Sequence, residues 1–224
     1  LDLEFRDRLD RVIQSIEKAR MGVSLHHIVK IVAVSKYTDS HTIQKLYEVG
    51  QRAFGESKVQ DFEKKYSELE NLPIEWHFIG RLQKNKVNKL ISLRPSLLQS
   101  LDSIELAKYL NERLEQRGEK LNALLQINSS REPQKAGVAP EQAIDVYQEI
   151  LERFPNIRLK GVMAIGKHSP VVDEVRQSFR EVYQIYEKLQ KDGASICSMG
   201  MSGDFEIAIS EGSNMVRLGS ILIR

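Results

Sequence analysis

The strongest constraint in this chain of 224 residues is an alternation, repeated about eight times, between a short apolar or β-branched run and a stretch with helical spacing. The runs Ile28–Val34, Arg52–Phe54, Trp76–Ile79, Ser96–Gln99, Leu121–Ile127, Arg158–Ala164, Ser195–Ser198 and Met215–Leu218 read as strands. Between them, Thr38–Gly50, Lys58–Leu69, Gln83–Ile91, Ile104–Arg113 or beyond, Pro140–Arg153, Val171–Gln190 and Asp204–Ser210 read as helices. Strands separated by helices pair in parallel, because each helix carries the chain back to the start of the next strand. Eight such units close into an α/β barrel of the TIM type, (β/α)8. An open doubly wound sheet would show a glycine-rich turn after its first strand; here that turn reads Ser35-Lys36-Tyr37. An extra N-terminal helix, with Leu3, Leu9, Val12, Ile13, Ile16 and Ala19 at its apolar positions, precedes the first strand. We expect one domain over residues 1–224.

Composition removes several function classes. Lys and Arg number 33 against 31 Asp and Glu, a net charge of +2, which gives no electrostatic reason to expect nucleic acid or an anionic membrane as a partner. The basic residues Arg81, Lys84, Lys86, Lys89 and Arg94 share a segment with apolar Val87, Leu90 and Ile91, the pattern of a solvated helix face. The apolar runs are too short to span a bilayer, and acidic residues through the N-terminal segment argue against a secretory signal. Cys197 is the only cysteine. It has no intrachain partner, and a cytoplasmic location follows as the expectation. The five histidines show no paired metal-ligand spacing, so no metal is expected. A barrel of this size and charge balance is expected to be a monomer.

In a barrel, function sits just past the C-terminal ends of the strands. Lys36 follows the apolar run 31–35 there. Desolvation at a barrel mouth favours a neutral amine, the form that attacks an aldehyde. A second feature is the run Met199–Glu206, where glycines let backbone N–H groups approach an anion and Ser202 is read as opening a helix. Asp204 and Glu206 then complement the helix dipole. The third is Arg217-Leu218-Gly219-Ser220, on and after the last strand, where barrels often bind phosphate. Two residues from Gly219 along a strand, Arg217 faces the same way and lies deeper. A buried arginine needs an acceptor, either a ligand atom or an Asp or Glu of the protein. One lysine for an aldehyde and two anion-facing loops describe a phosphorylated aldehyde. Pyridoxal 5′-phosphate (PLP) satisfies that description, and so does a phosphosugar held by a lysine Schiff base.

The chain also resembles a known family. The stretches IVAVSK (31–36), FGESKVQ (54–60), WHFIGRLQ (76–83), QINSSREPQKAG (126–137), GVMAIG (161–166) and SMGMSGDFEIAISEGSNMVRLGS (198–220) run in the order seen in the PLP homeostasis (PLP-binding) proteins, single-domain relatives of the alanine racemase barrel. The resemblance implies a PLP Schiff base on Lys36, phosphate binding by Ser202, Gly219 and Ser220 with the backbone of Met201, and Arg217 facing the pyridine nitrogen. It places Met163 and His77 around the ring pocket. Ser57 stands where the family has asparagine; a serine reaches less far than the amide, which leaves direct contact from this position to the cofactor open.

The resemblance further implies a carrier that serves intracellular PLP (vitamin B6) homeostasis, and through it amino-acid and keto-acid balance, with PLP-dependent apoenzymes as recipients. The alternative is a fold-type III PLP enzyme such as a weak amino-acid racemase. A racemase of this fold draws a second base from a second domain, and with the last barrel strand so near Arg224 no such domain is expected. Tyr37, next to Lys36, is expected to face the opposite way as a strand neighbour.

Overall fold

The computed structural model describes residues 2–224. Eight parallel strands form a closed barrel in sequence order: β1 (Lys30–Val34), β2 (Ala53–Glu56), β3 (Glu75–Phe78), β4 (Leu97–Leu101), β5 (Leu121–Ile127), β6 (Ile157–Ala164), β7 (Ile196–Met201) and β8 (Met215–Leu218). β8 pairs back onto β1 with Val32 opposite Arg217. The helices are α1 (Leu3–Met21), α2 (Ser40–Glu48), α3 (Val59–Glu68), α4 (Val87–Ser92), α5 (Ile104–Arg117), α6 (Ala143–Arg153), α7 (Val172–Leu189), α8 (Phe205–Ser210) and α9 (Ser220–Ile223).

The expected barrel and the extra N-terminal helix are both present. α1 buries Leu9, Val12 and Ile16 and packs against α2, α8 and α9, which flank the β8–β1 seam. Asp2 caps it by accepting the N–H groups of Glu4 and Phe5.

Differences lie at element ends. The first strand begins at Lys30, because Ile28 is 80% exposed and has no sheet neighbour to pack against. β4 and β7 run to Leu101 and Met201, beyond the expected stops at Gln99 and Ser198. Lys84–Lys86 and Pro140–Gln142 are 3-10 turns leading into α4 and α6. The terminal helix α9 has no counterpart in the sequence pattern, since four residues carry too little periodicity to register.

Strand alternation splits the core in two. Outward-facing side chains such as Ala33, Phe54, Trp76, Phe78, Cys197, Val216 and Leu218 pack against the helices. Inside the barrel, Val32, Ala53, Leu97, Leu124, Met163 and Met215 form a small apolar plug. The basic helix face behaves as expected: Val87, Leu90 and Ile91 are buried, while Lys84 and Lys89 pair with Glu105 and Glu63. No helix among the described residues is long and apolar enough to cross a membrane.

Candidate functional site

At the C-terminal end of the barrel lies a cavity of about 380 Å³, lined by Val34, Lys36, Tyr37, Met201, Ser202, Gly203, Arg217, Gly219, Ser220 and the last two residues. That is within the usual size of a small-ligand site. Val32 and Val34 face the barrel interior, and half-buried Lys36 follows them at its mouth. Lys36 Nζ lies 4.9 Å from the ring centroid of Tyr37. The strand-neighbour expectation for Tyr37 is therefore corrected: β1 ends at Val34, both residues sit in the following turn, and both line the cavity.

Two loops supply hydrogen-bond donors to the same space. Among the described residues, no protein acceptor meets the backbone N–H of Ser202, Gly203, Ser220 or Ile221. Those of Ser220 and Ile221 begin α9, where helix geometry leaves N–H groups unpaired. Gly219 N–H is used within the protein, donating to Ser202 Oγ at 3.1 Å; this ties the two loops together and leaves the Ser202 hydroxyl proton free to donate. Gly200, at φ +98°, brings β7 against α8: a Cβ there would lie 2.8 Å from Ala208 Cβ and 2.9 Å from Phe205 Cα. The helix begins at Phe205 and not at Ser202, because the chain first makes a turn in which Asp204 Oδ1 accepts the Met201 N–H at 2.7 Å. Burial pushes the Asp204 carboxyl up from its ordinary range.

Arg217 lies deeper, 4% exposed. Its Nη1 donates to Ser198 O at 3.0 Å and to Ser198 Oγ at 2.6 Å, and its Nη2 donates to Ala164 O at 2.9 Å. All its protein acceptors are neutral, so an ion pair to an Asp or Glu is not its role here. Three of five N–H donors are used; Nε–H and one Nη2–H have no acceptor among the described residues. Burial lowers the guanidinium pKa to about 10, which still leaves it charged near neutrality.

A separate network holds the lysine turn from behind. Ser35, Glu56 and Lys65 lie on the outer face of the barrel, under α3. Lys65 Nζ donates to Ser35 O and to Glu56 Oε1, each at 2.7 Å, and Ser35 Oγ donates to the same carboxylate oxygen at 2.6 Å. The Ser35 carbonyl begins the peptide that leads into Lys36, so this ion pair sets the direction of the turn. Glu56 Oε2 is buried without a protein partner, and burial raises the Glu56 pKa.

The structure thus brings together Lys36, Met201, Ser202, Arg217, Gly219 and Ser220. It does not add the other expected positions to the cavity lining. Met163 is 1% exposed within the apolar plug. His77 faces inward at the start of the barrel and lines a cavity of about 360 Å³ at the opposite, N-terminal end. Ser57 is half-buried against Gly80, where a Cβ would come within 2.0 Å of the Ser57 carbonyl oxygen. Trp76 is core, packed on Phe54 and Phe62. Cys197 is fully buried, and its thiol pKa is pushed up by burial. Ser198, Gln99, Glu56 and Lys65 escape sequence reasoning; their strand or helix parity is readable, but their partners lie on distant strands or helices.

The residues present fit a phosphorylated aldehyde: an amine at the mouth, unpaired N–H and hydroxyl donors beside it, and a cation with spare donors beneath. Comparisons with known proteins agree in kind. The family pattern "Alanine racemase, N-terminal domain" matches residues 8–223. The chain is 50% identical over 222 residues to the pyridoxal phosphate homeostasis protein of Helicobacter pylori, covering 99% of each. It is 36% identical over 208 residues to the human protein of that name, covering 86% of this chain and 75% of the human one. The solved structure of PipY from Synechococcus elongatus with PLP bound superposes with a TM-score of 0.84 at 28% identity, covering 98% of this chain and 100% of that one. Alanine racemase of Clostridium difficile shares the fold, with a TM-score of 0.77 at 19% identity over 96% of this chain and 56% of the racemase. By full-length sequence identity and by its barrel, this chain belongs to the pyridoxal phosphate homeostasis protein family.

Proposed function

We propose that this protein binds PLP through a Schiff base on Lys36 and acts as a carrier in intracellular PLP homeostasis, without strong catalysis of its own. The observation that carries the reading is the convergence of Lys36, the unpaired donors of the 202–203 and 220–221 segments, and Arg217 on one cavity. When bound, PLP supplies an aldehyde for the amine and a phosphate for the donors. Lys36 would hold the aldehyde reversibly as a Schiff base, so that water could free the cofactor again. Ser202, Ser220 and the free N–H groups would hold the phosphate; the expected backbone donors of Met201 and Gly219 are spent on Asp204 and Ser202. Arg217 would offer its spare N–H groups to the pyridine nitrogen.

Arg217 bears on the chemistry. A guanidinium that only donates would favour an unprotonated ring nitrogen, which assists carbanion chemistry less than an Asp partner does; racemases of this fold work with such an arginine. The cavity is open at Tyr37 and Met201, which are 79% and 41% exposed, so release to PLP-dependent apoenzymes meets no covering segment among the described residues. A monomer in the cytoplasm suits that role.

A test is the visible spectrum of purified protein with PLP, before and after borohydride, beside Lys36→Ala. Yellow wild type, a colourless variant and one reduced adduct mapped to the Lys36 peptide are expected. Equal colour in both would remove Lys36 from the role. One observation favours the alternative of a weak racemase: Tyr37 shares the cavity with Lys36 and could hold a second proton. Loss of α-deuterium from an amino acid, abolished by Tyr37→Phe, would establish that reading; silence across an amino-acid panel would end it.

A further inference from the structure

Arg217 is one end of a hydrogen-bond chain that crosses the barrel interior. Ser198 Oγ accepts from Arg217 and donates to Gln99 Oε1 at 2.6 Å. Gln99 Nε2 lies 2.8 Å from His77 Nδ1, and His77 Nε2 lies 2.8 Å from Glu75 Oε1. Glu75 accepts from Lys30 Nζ at 2.6 and 2.5 Å, at the far mouth of the barrel. His77, Gln99 and Ser198 are each 0% exposed.

With Gln99 Nε2 on the His77 side, the direction of each link follows. A guanidinium only donates, so Ser198 accepts from it and spends its single proton on Gln99 Oε1. That turns the amide NH2 toward His77 Nδ1, which must then be a lone pair. The imidazole proton therefore sits on Nε2, facing the Glu75 carboxylate. Burial lowers the His77 pKa, the direction that a neutral ring with an accepting Nδ1 needs. The planar guanidinium moves as one body, so fixing two of its nitrogens fixes the remaining donors.

We propose that Ser198, Gln99, His77 and Glu75 are positioning residues for Arg217: the relay fixes the rotation of the guanidinium so that its spare N–H groups face the Lys36 cavity, and it couples that cavity to the opposite end of the barrel. The proposal rests on the reading that Arg217 meets the ring nitrogen of PLP. Bonds in such a chain polarise one another, so a change at Glu75 is felt at Arg217.

The test uses PLP labelled with ¹⁵N in the ring, bound to full-length protein, with PLP Kd and the ring ¹⁵N chemical shift as readouts. Ser198→Ala and His77→Leu are expected to raise Kd about tenfold, the loss of one charged hydrogen bond, and to move the shift toward that of a protonated ring. His77→Asn, which keeps an acceptor near the Nδ1 position, is expected to restore the wild-type shift. Glu75→Gln changes no core packing, its side chain being 35% exposed; it is expected to move the shift in the same direction by less, and it decides the matter should a core variant fail to fold. Wild-type shift and Kd within about twofold in the folded variants overturn the proposal, as does an identical response of His77→Leu and His77→Asn. A wild type that binds no PLP, or binds it with a protonated ring, overturns the reading beneath it, and the wild-type sample alone reveals that.

Discussion

Two buried polar networks meet the site from opposite faces of the barrel wall, and they treat charge differently. On the outer face, Glu56 and Lys65 neutralise each other at 2.7 Å and pin the Ser35 peptide. Inside, Arg217 has only carbonyl and hydroxyl acceptors, and part of its donor set is unused. The first network is closed in charge and serves the shape of the lysine turn. The second is left open on its cationic side, as expected of a group whose remaining acceptor is a ligand.

The sharpest way to break this comparison is Lys65→Met. Removing one member of a buried pair leaves an uncompensated carboxylate, so a loss of about 3–5 kcal/mol is expected in urea unfolding. A loss below about 1 kcal/mol would mean that Glu56 is already neutral and that the outer network is not an ion pair. Next in size is ligand linkage. PLP at about a hundred times its Kd should stabilise wild type by about 2.7 kcal/mol. The same concentration should stabilise Lys36→Ala much less, and folded Lys65→Met less than wild type, because its lysine turn has lost the amine that pins Ser35. An equal gain in Lys36→Ala would show that the open network alone binds the cofactor.

Acid titration separates the networks by sign. Burial raises the Glu56 pKa, so the folded state holds that proton more firmly than the unfolded chain. Its contribution therefore falls as pH rises from the ordinary 4.5 through the raised value. Glu75, hydrogen-bonded to His77 and paired with Lys30, is lowered from 4.5 to about 2. Its contribution is full above 4.5 and is lost as pH falls toward 2. Unfolding free energies measured from about pH 2 to about pH 7 should thus lose a downward slope above 4.5 in Glu56→Gln and an upward slope below 4.5 in Glu75→Gln. The smallest effect is expected at Tyr37, 79% exposed and outside both networks. Tyr37→Ala should change stability by less than about 0.5 kcal/mol, and a larger loss in the same unfolding assay would tie the turn to Tyr37 as well as to Lys65.

Much of the site is legible in the sequence because strand alternation is a local rule. Arg217 precedes Gly219 in phase, so alternation directs it toward the cavity it lines, and Lys36 enters the same cavity from the turn that follows inward-facing Val34. Alternation misleads where β1 stops. Carried past Val34, it faces Tyr37 away from Lys36, whereas a turn brings Tyr37 into the cavity wall beside that lysine. The glycine-rich run puts a helix start at Ser202, but the Asp204–Met201 turn delays the helix to Phe205. His77 carries the right parity at the wrong height: it opens toward the N-terminal cavity, and only through Gln99 and Ser198 does it reach Arg217.

By itself, the sequence determined the alternation of strands and helices, hence the barrel, and the inward parity of the arginine; period two and period 3.6 are local properties of the backbone. The tertiary structure alone decided which inward groups meet. Gln99 on β4 and Ser198 on β7 are not on neighbouring strands and touch only across the closed barrel, and Lys65 reaches Ser35 only because α3 packs over β1 and β2. Such contacts depend on closure and stagger, which no short stretch of chain encodes.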